Sequence, residues 1–135
     1  MLLDPLRSTV LVIDVQKKLL PAIHDHATVA ANVAWLVRAA QKMGVPVAAT
    51  EQYPQGLGPL DPSIRALLPD AAVGTKNHFS CVAAGCLPGL PGADRAQVVV
   101  ALDYPRGFSL QRRLRRTVGR RVDRRPICNG NQESL

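Results

Sequence analysis

A short apolar run near the amino terminus, Thr9 to Ile13, constrains the fold of this chain more than any other feature. Most of its residues are β-branched, and the four from Val10 onward include no polar side chain. An unbroken run of this kind is typical of a strand covered on both faces in a parallel sheet, whereas a strand wetted on one face alternates apolar and polar residues. The sequence therefore predicts an α/β fold, with helices on both sides of a mostly parallel sheet.

The segments that follow predict the repeating unit of a doubly wound sheet, in which a strand, a helix and a second strand are joined by a right-handed crossover. Residues 27–43 carry apolar side chains at helical spacing, and Gly44 ends that helix. Strands are predicted at 46–49 and 98–101, with a brief extended piece at 71–73.

A loop and two shorter helices complete the predicted elements. Residues 52–62 are rich in Gly and Pro and are expected to form a loop. Asp61 is a suitable amino-terminal cap for a short helix that Pro62 opens and that continues through Leu68. Another short helix is expected within residues 79–90.

The basic charge of the chain is confined to its carboxyl-terminal part. Residues 102–126 contain nine Arg and two Asp, so their formal charge, 9 − 2 = +7, equals that of all 135 residues. The remaining residues carry eight Lys or Arg and eight Asp or Glu, so the basic composition does not indicate that residues 1–101 bind nucleic acid. Because 47% of the residues are hydrophobic, the chain can build one core. We assign one domain to residues 1–101 and an atypical Arg-rich tail to residues 102–135.

The Arg-rich segment Arg106–Arg125 is open to three interpretations. A shifted reading frame in GC-rich DNA would produce this abrupt change of composition, and the expected truncation of the fold after its fourth strand favours that interpretation. The second interpretation is a basic amphipathic helix, since Leu114, Val118 and Val122 recur every four residues, as on one face of a helix. It would bind nucleic acid or an anionic surface unspecifically, through charge. Simple divergence is the third.

Polar residues follow the predicted strands at equivalent places. Because the carboxyl ends of parallel strands share one edge of a sheet, where ligands bind, we expect Asp14 and Lys76 to meet there in one pocket. Taken alone, Asp14 would be explained as a loop cap and Lys76 as a solvated surface residue. The residues expected near the wall of this substrate pocket are Gln16, Glu51, Gln52, Tyr53, His78 and Phe79.

Three motifs carry a family resemblance: Leu11–Gln16, Thr50–Pro59 with the letters TEQYPQGLGP, and Thr75–Ser80. In this order and spacing they resemble the motifs of the isochorismatase-like cysteine hydrolases, and most closely the subgroup that includes the isochorismatase domain-containing proteins. The resemblance extends over about residues 4–101 and implies a three-layer, Rossmann-like fold. It also implies that Asp14 and Lys76 are two members of the family's Asp-Lys-Cys triad.

Such a triad implies hydrolysis of an amide or a related C–N or C–O bond in a small molecule. Only the thiolate of a cysteine is a strong nucleophile, so a neighbouring ammonium stabilises the anion while a carboxylate takes up and returns the proton. Because one fold supports several reactions, the bond and the substrate stay open.

The nucleophile itself is missing from its family position. The resemblance implies a Gly-x-x-(Thr/Ala/Ser)-x-x-Cys turn after the strand at 98–101, but Leu102–Phe108 contains no cysteine. Cys81 and Cys86 are interpreted as small core residues, and Cys128 lies far along the tail. We therefore expect a weak or inactive hydrolase. The alternatives are a non-catalytic interaction or oligomerisation module and a basic-tail binder.

No cofactor is expected, and His24 and His26 are interpreted as part of a solvated turn rather than a metal site. The expected partners are a small-molecule substrate and, in a homo-oligomer, further copies of the chain. No apolar run reaches bilayer-spanning length, and Met1–Asp4 lacks the basic start of a signal peptide. We therefore expect a cytoplasmic location without membrane association, and reduced cysteines.

Overall fold

The computed structural model describes residues 2–102, which form a four-stranded parallel sheet with helices packed on one face. The order of the strands across the sheet is β3-β2-β1-β4. This arrangement confirms the predicted α/β fold with a parallel sheet. The elements are β1 (Ser8–Ile13), α1 (His26–Lys42), β2 (Val47–Gln52), α2 (Pro54–Leu57), α3 (Pro62–Arg65), β3 (Val73–Lys76) and β4 (Gln97–Leu102), with single 3-10 turns at Leu20–Ala22 and Asp70–Ala72.

The apolar run seen in the sequence lies in the interior of the sheet. β1 pairs with β2 on one side and with β4 on the other, so that Val10 lies opposite both Val47 and Val99. Val12 is fully buried. The unbroken apolar pattern of β1 is therefore explained by neighbours on both edges and both faces of the strand.

One face of the sheet packs against α1 and α3 and forms the main core. Alternate residues of the strands point to this face because successive side chains of a strand alternate between its two sides. The central members of the core are Val10, Val12, Val33, Val37, Val47, Ala49, Leu60 and Ile64.

The opposite face of the sheet is covered by an irregular segment, residues 86–93. Leu87 and Leu90 of this segment line an apolar groove together with Leu11 and Ala48. Gly92 has a left-handed φ of 74°, and a Cβ at this position would lie 2.5 Å from Oγ1 of Thr9. The close approach of this segment to the sheet therefore requires a glycine.

Three predicted elements differ from the structure. The helix expected within residues 79–90 is wrong, since this segment forms a series of turns in which Gly85 and Gly89 have φ values of 64° and 94°. Left-handed residues interrupt a right-handed helix, and Pro88 removes a backbone donor. The helix expected through Leu68 ends at Arg65 and continues as tighter turns, and the expected loop at 52–62 includes the helical turn α2.

The Arg-rich segment and Cys128 lie outside the described residues, and so does most of Leu102–Phe108. The division of the chain into a domain and a tail stays a prediction. Within residues 2–102, no helix combines the length and the apolar character needed to cross a bilayer.

Candidate active site

Three neighbouring strands bring Asp14, Thr50 and Lys76 together at the carboxyl edge of the sheet. Asp14 directly follows β1, Thr50 lies near the end of β2, and Lys76 is the last residue of β3. The Lys76 Nζ atom lies 2.6 Å from Oδ2 of Asp14, and the Thr50 hydroxyl donates to Oδ1 over 2.8 Å. Both carboxylate oxygens therefore have a donor, and the expected meeting of Asp14 and Lys76 at this edge is present.

The ammonium group of Lys76 is fully satisfied by hydrogen bonds. Besides Asp14, it donates to the carbonyl oxygens of His78 over 3.2 Å and of Phe79 over 3.0 Å. A lysine ammonium has three protons, so the three acceptors use all of them. Lys76 is thus held in one position and joins β1 to the segment that follows β3.

The two charges of this pair are removed from water. The side chain of Lys76 is 0% exposed and that of Asp14 is 11% exposed. Removing one partner from such a pair leaves a buried charge without compensation, which is costly. Of the two side chains, only that of Asp14 retains some exposure to solvent.

Two residues at this edge adopt a backbone conformation that L-residues seldom use. Asp14 has a φ of 54° and Tyr53 a φ of 40°, each directly after a strand. Aspartate tolerates the left-handed region better than tyrosine does, because tyrosine is bulky. Residues held in this region are found disproportionately at binding and catalytic sites, where surrounding contacts keep them in place. The Tyr53 N–H donates to the carbonyl oxygen of Lys76 over 2.9 Å, which supplies one such contact.

Gln16 and Glu51 are buried and hold the loop between β2 and α3. The Gln16 amide donates to the carbonyl oxygens of Gln52 over 3.0 Å and Gly58 over 2.6 Å, and its oxygen accepts from the Gln52 N–H. Glu51 accepts from the Leu60 N–H over 2.9 Å. These two predicted wall residues therefore position the loop through its backbone.

The glycines of the TEQYPQGLGP motif have separate roles. A Cβ on Gly56 would lie 2.1 Å from the Tyr53 ring, so glycine leaves the space that the ring occupies. Gly58 has a left-handed φ of 79° and ends α2. The motif thus encodes a tight turn that returns the chain toward Gln16.

The remaining predicted wall residues are more exposed to solvent than Gln16 and Glu51. Tyr53 is 55% exposed, Phe79 is 83% exposed and His78 is also exposed, whereas Gln52 is half-buried. Their placement at the wall of a substrate pocket stays a prediction. The apolar groove at Leu11 and Leu90 contains none of these predicted wall residues. It lies on the face of the sheet opposite to α1 and α3.

Cys81 extends the hydrogen-bonded cluster beyond what the sequence predicted. Its sulfur lies 3.7 Å from the Thr50 hydroxyl, whose only proton is directed to Asp14, so the thiol donates to Thr50. Cys81 is buried, as expected of a core residue. Cys86 is half-buried, so its interpretation as a core residue needs correction: it lies in an irregular segment that solvent reaches.

Thr50 was missed as a member of the site, although a signal for it exists. Thr50 pairs with Ile13 of β1 in the parallel register, and Ile13 immediately precedes Asp14. A polar residue at the buried end of a strand next to an aspartate is a candidate hydrogen-bond donor.

The histidine cluster of the sequence lies at the start of α1. Asp25 accepts a hydrogen bond from the Thr28 hydroxyl over 2.9 Å, and His26 is the first residue of the helix. Among residues 2–102, no group of three or more His, Cys, Asp or Glu side chains is arranged to hold a metal ion.

Comparison with known proteins assigns the family. The isochorismatase domain model matches residues 8–84, more than half of the chain. This chain belongs to the isochorismatase family. It is 40% identical over 75 residues to isochorismatase domain-containing protein 2 of Danio rerio, a match that covers 54% of this chain and 36% of the relative. The chain thus matches only about a third of the length of this curated relative.

Solved structures share the fold. The YcaC gene product of Escherichia coli, described as an octameric hydrolase of unknown specificity, aligns with a TM-score of 0.67 and 24% identity over 74% of this chain and 52% of that one. The MAR1 ribonuclease of Caenorhabditis elegans aligns with a TM-score of 0.60 and 23% identity over 76% and 53%. At identities of 23% and 24%, the similarity to these two structures shows a shared fold.

Proposed function

We propose that the carboxyl edge of this sheet is the acid–base half of a small-molecule hydrolase site, in which Asp14 transfers the proton and Lys76 holds Asp14 in place. The observation that supports the proposal most is the buried contact of 2.6 Å between the two side chains, which come from different strands. The pair lies at the edge where ligands bind parallel sheets, and this position supports a site over a purely structural ion pair.

The chemistry follows from the contacts of Asp14. A carboxylate offers about four acceptor positions, of which Thr50 and Lys76 use two. In an Asp-Lys-Cys hydrolase the carboxylate accepts the thiol proton while the sulfur attacks the carbonyl carbon, and the proton then leaves with the amine. Water attacks the resulting thioester, releases the acid and returns a proton to the sulfur. The Lys76 ammonium compensates the negative charge near the nucleophile throughout.

This chain is proposed to be weak or inactive as a hydrolase. The segment Leu102–Phe108, where the family carries its nucleophile, has no cysteine. Loss of one member of a comparable triad lowers the rate by roughly four to six powers of ten. Binding and positioning of a small substrate beside Asp14 would remain.

A non-catalytic role is the second candidate function. Every proton of the Lys76 ammonium is used within the protein, so none is left to contact a substrate. In this role the pair stabilises the fold of an interaction module that assembles with copies of itself. The E. coli structure of the same fold is described as octameric, which supports a test of the oligomeric state by analytical ultracentrifugation.

An assay of the purified full chain tests the proposed impairment against an intact hydrolase. The unsubstituted chain and an Asp14→Asn variant are each incubated with small amides and esters, and turnover is measured before and after thiol alkylation. We expect turnover no higher than that of the variant. Robust turnover that both alkylation and Asp14→Asn abolish would show an intact hydrolase and contradict the proposed impairment. In that case Cys81→Ala and Cys128→Ala would identify the sulfur.

A further inference from the structure

A cysteine pair in the segment after β3 has no part in the proposed acid–base chemistry. Cys81 and Cys86 are five residues apart in a segment of turns, and the Cys86 sulfur lies 3.5 Å from the carbonyl oxygen of Cys81. The Ala84 N–H donates to the Ser80 oxygen and the Gly85 N–H to the Val82 oxygen, so the chain folds back between the two cysteines. The left-handed Gly85 completes this reversal immediately before Cys86.

The Cys81 thiol is one of the groups that affect the pKa of Cys86. Burial raises the pKa of the Cys86 thiol, and the Cys81 thiol raises it further through its charge and a hydrogen bond. The backbone N–H of Cys86 and the Lys76 ammonium act in the opposite direction. The proximity of the two cysteines rests on the 3.5 Å contact between the Cys86 sulfur and the Cys81 carbonyl oxygen.

The surroundings of the two sulfurs differ in a way that assigns their order of reaction. Cys86 is half-buried and reachable by a solute, whereas Cys81 is buried beside Thr50. Thiol exchange begins at the accessible sulfur and is completed by the neighbouring one.

We propose that Cys81 and Cys86 form a redox-active dithiol that closes to a disulfide within this segment when the chain meets a small-molecule disulfide. The Cys86 thiolate attacks one sulfur of the oxidant, whose S–S bond breaks, and the first thiolate leaves. Cys81 loses its proton and attacks the Cys86 sulfur of the mixed disulfide, releasing the second thiolate. The dithiol gives up two protons and two electrons, and the oxidant becomes two thiols.

Closure changes the polar cluster of the site. The Cys81 sulfur loses the proton that it donates to Thr50, while Thr50 still donates to Asp14. The same segment supplies the carbonyl oxygens of His78 and Phe79 to Lys76. The disulfide would therefore lie beside the Asp14–Lys76 pair, whether or not that pair takes part in hydrolysis.

The test uses oxidised glutathione as the probe and the full chain with Cys128→Ser, which leaves two cysteines. After incubation, free thiols are alkylated and the intact mass is measured. We expect the loss of two hydrogen atoms, no retained glutathione and a linked Cys81–Cys86 peptide, at a rate independent of protein concentration. Peptide mapping of the unsubstituted chain gives the same information without relying on the variant.

Matched variants make the proposal falsifiable. In the Cys128→Ser background, Cys81→Ser should accumulate a mixed disulfide with glutathione at Cys86, because the resolving sulfur is gone. Cys86→Ser should react more slowly, because its remaining thiol is buried. Two thiols that stay free, one glutathione on each cysteine, or links between chains would each overturn the proposal.

Discussion

β1 and β4 are adjacent parallel strands of similar length and apolar character, yet they are buried to different extents. In β1 the five residues from Ser8 to Val12 are buried, whereas in β4 only Ala101 is buried and Val98 is 52% exposed. Within residues 2–102, β1 has a strand on each side and β4 has one. The comparison teaches that an apolar run predicts a strand, while the position of the strand in the sheet decides its burial.

The ends of the two strands differ as well. β1 leads into Asp14, whose carboxylate is bound by residues of β2 and β3. β4 leads into Leu102–Phe108, most of which lies outside the described residues. The contacts of Asp14 thus join the interior strands β1 and β2 to the edge strand β3, at buried positions where polar contacts are strong because water does not compete for them.

The largest expected effect concerns the polar end of β1. Lys76→Met removes the cation and leaves the Asp14 carboxylate buried without compensation, which should lower the free energy of unfolding by about 3–5 kcal/mol. Urea denaturation followed by circular dichroism measures this change. Lys42→Met, which removes an exposed lysine at the end of α1, is the control and should change stability by less than about 0.5 kcal/mol. Equal effects of the two substitutions would show that burial of Lys76 contributes little.

The next effect concerns the loop that Gln16 holds. Gln16→Met keeps a similar volume but removes three hydrogen bonds to the backbone of residues 52–58, so we expect a loss of about 2–3 kcal/mol. Gln41→Met is the matched control, because Gln41 makes one exposed hydrogen bond to the Leu67 oxygen. A Gln16→Met chain as stable as the control would contradict the account of the TEQYPQGLGP loop.

A smaller effect tests the burial of the two strands directly. Val12→Ala removes fully buried methyl groups and should cost about 2 kcal/mol, whereas Val98→Ala should cost about 0.5 kcal/mol or less. The same Val→Ala substitution thus compares the loss of unfolding free energy in β1 with that in β4. Similar losses would mean that Val98 is covered in solution, by a part of the chain outside the described residues or by another copy.

Sequence reasoning was effective where the physical signal is local. The apolar run of β1, the spacing of α1 and the Asp61 cap at Ser63 follow from side-chain type and period alone. The turns at 81–90 were missed although Gly85, Pro88 and Gly89 are local signals for them. Thr50 and Cys81 could not be placed beside Asp14, since their proximity depends on the register between strands and the path of the chain after β3.

The smallest expected effect is on the reactivity of Cys86. Because the Cys81 thiol raises the pKa of Cys86, Cys81→Ser should lower that pKa and increase the thiolate fraction at a given pH. The pH dependence of iodoacetamide labelling at Cys86, followed by peptide mass, should shift toward lower pH. A shift toward higher pH would mean that the two sulfurs do not influence each other as the structure indicates.

The measurement that tests the central claim most directly is a double-mutant cycle on Asp14 and Lys76. The unfolding free energies of the unsubstituted chain, Asp14→Asn, Lys76→Met and the double variant give the coupling between the two side chains without reference to a substrate. If the pair is the buried, mutually compensated centre of the carboxyl edge, the coupling should be about 2–3 kcal/mol, and the double variant should be more stable than Lys76→Met. Additive effects, within about 0.5 kcal/mol, would contradict the account.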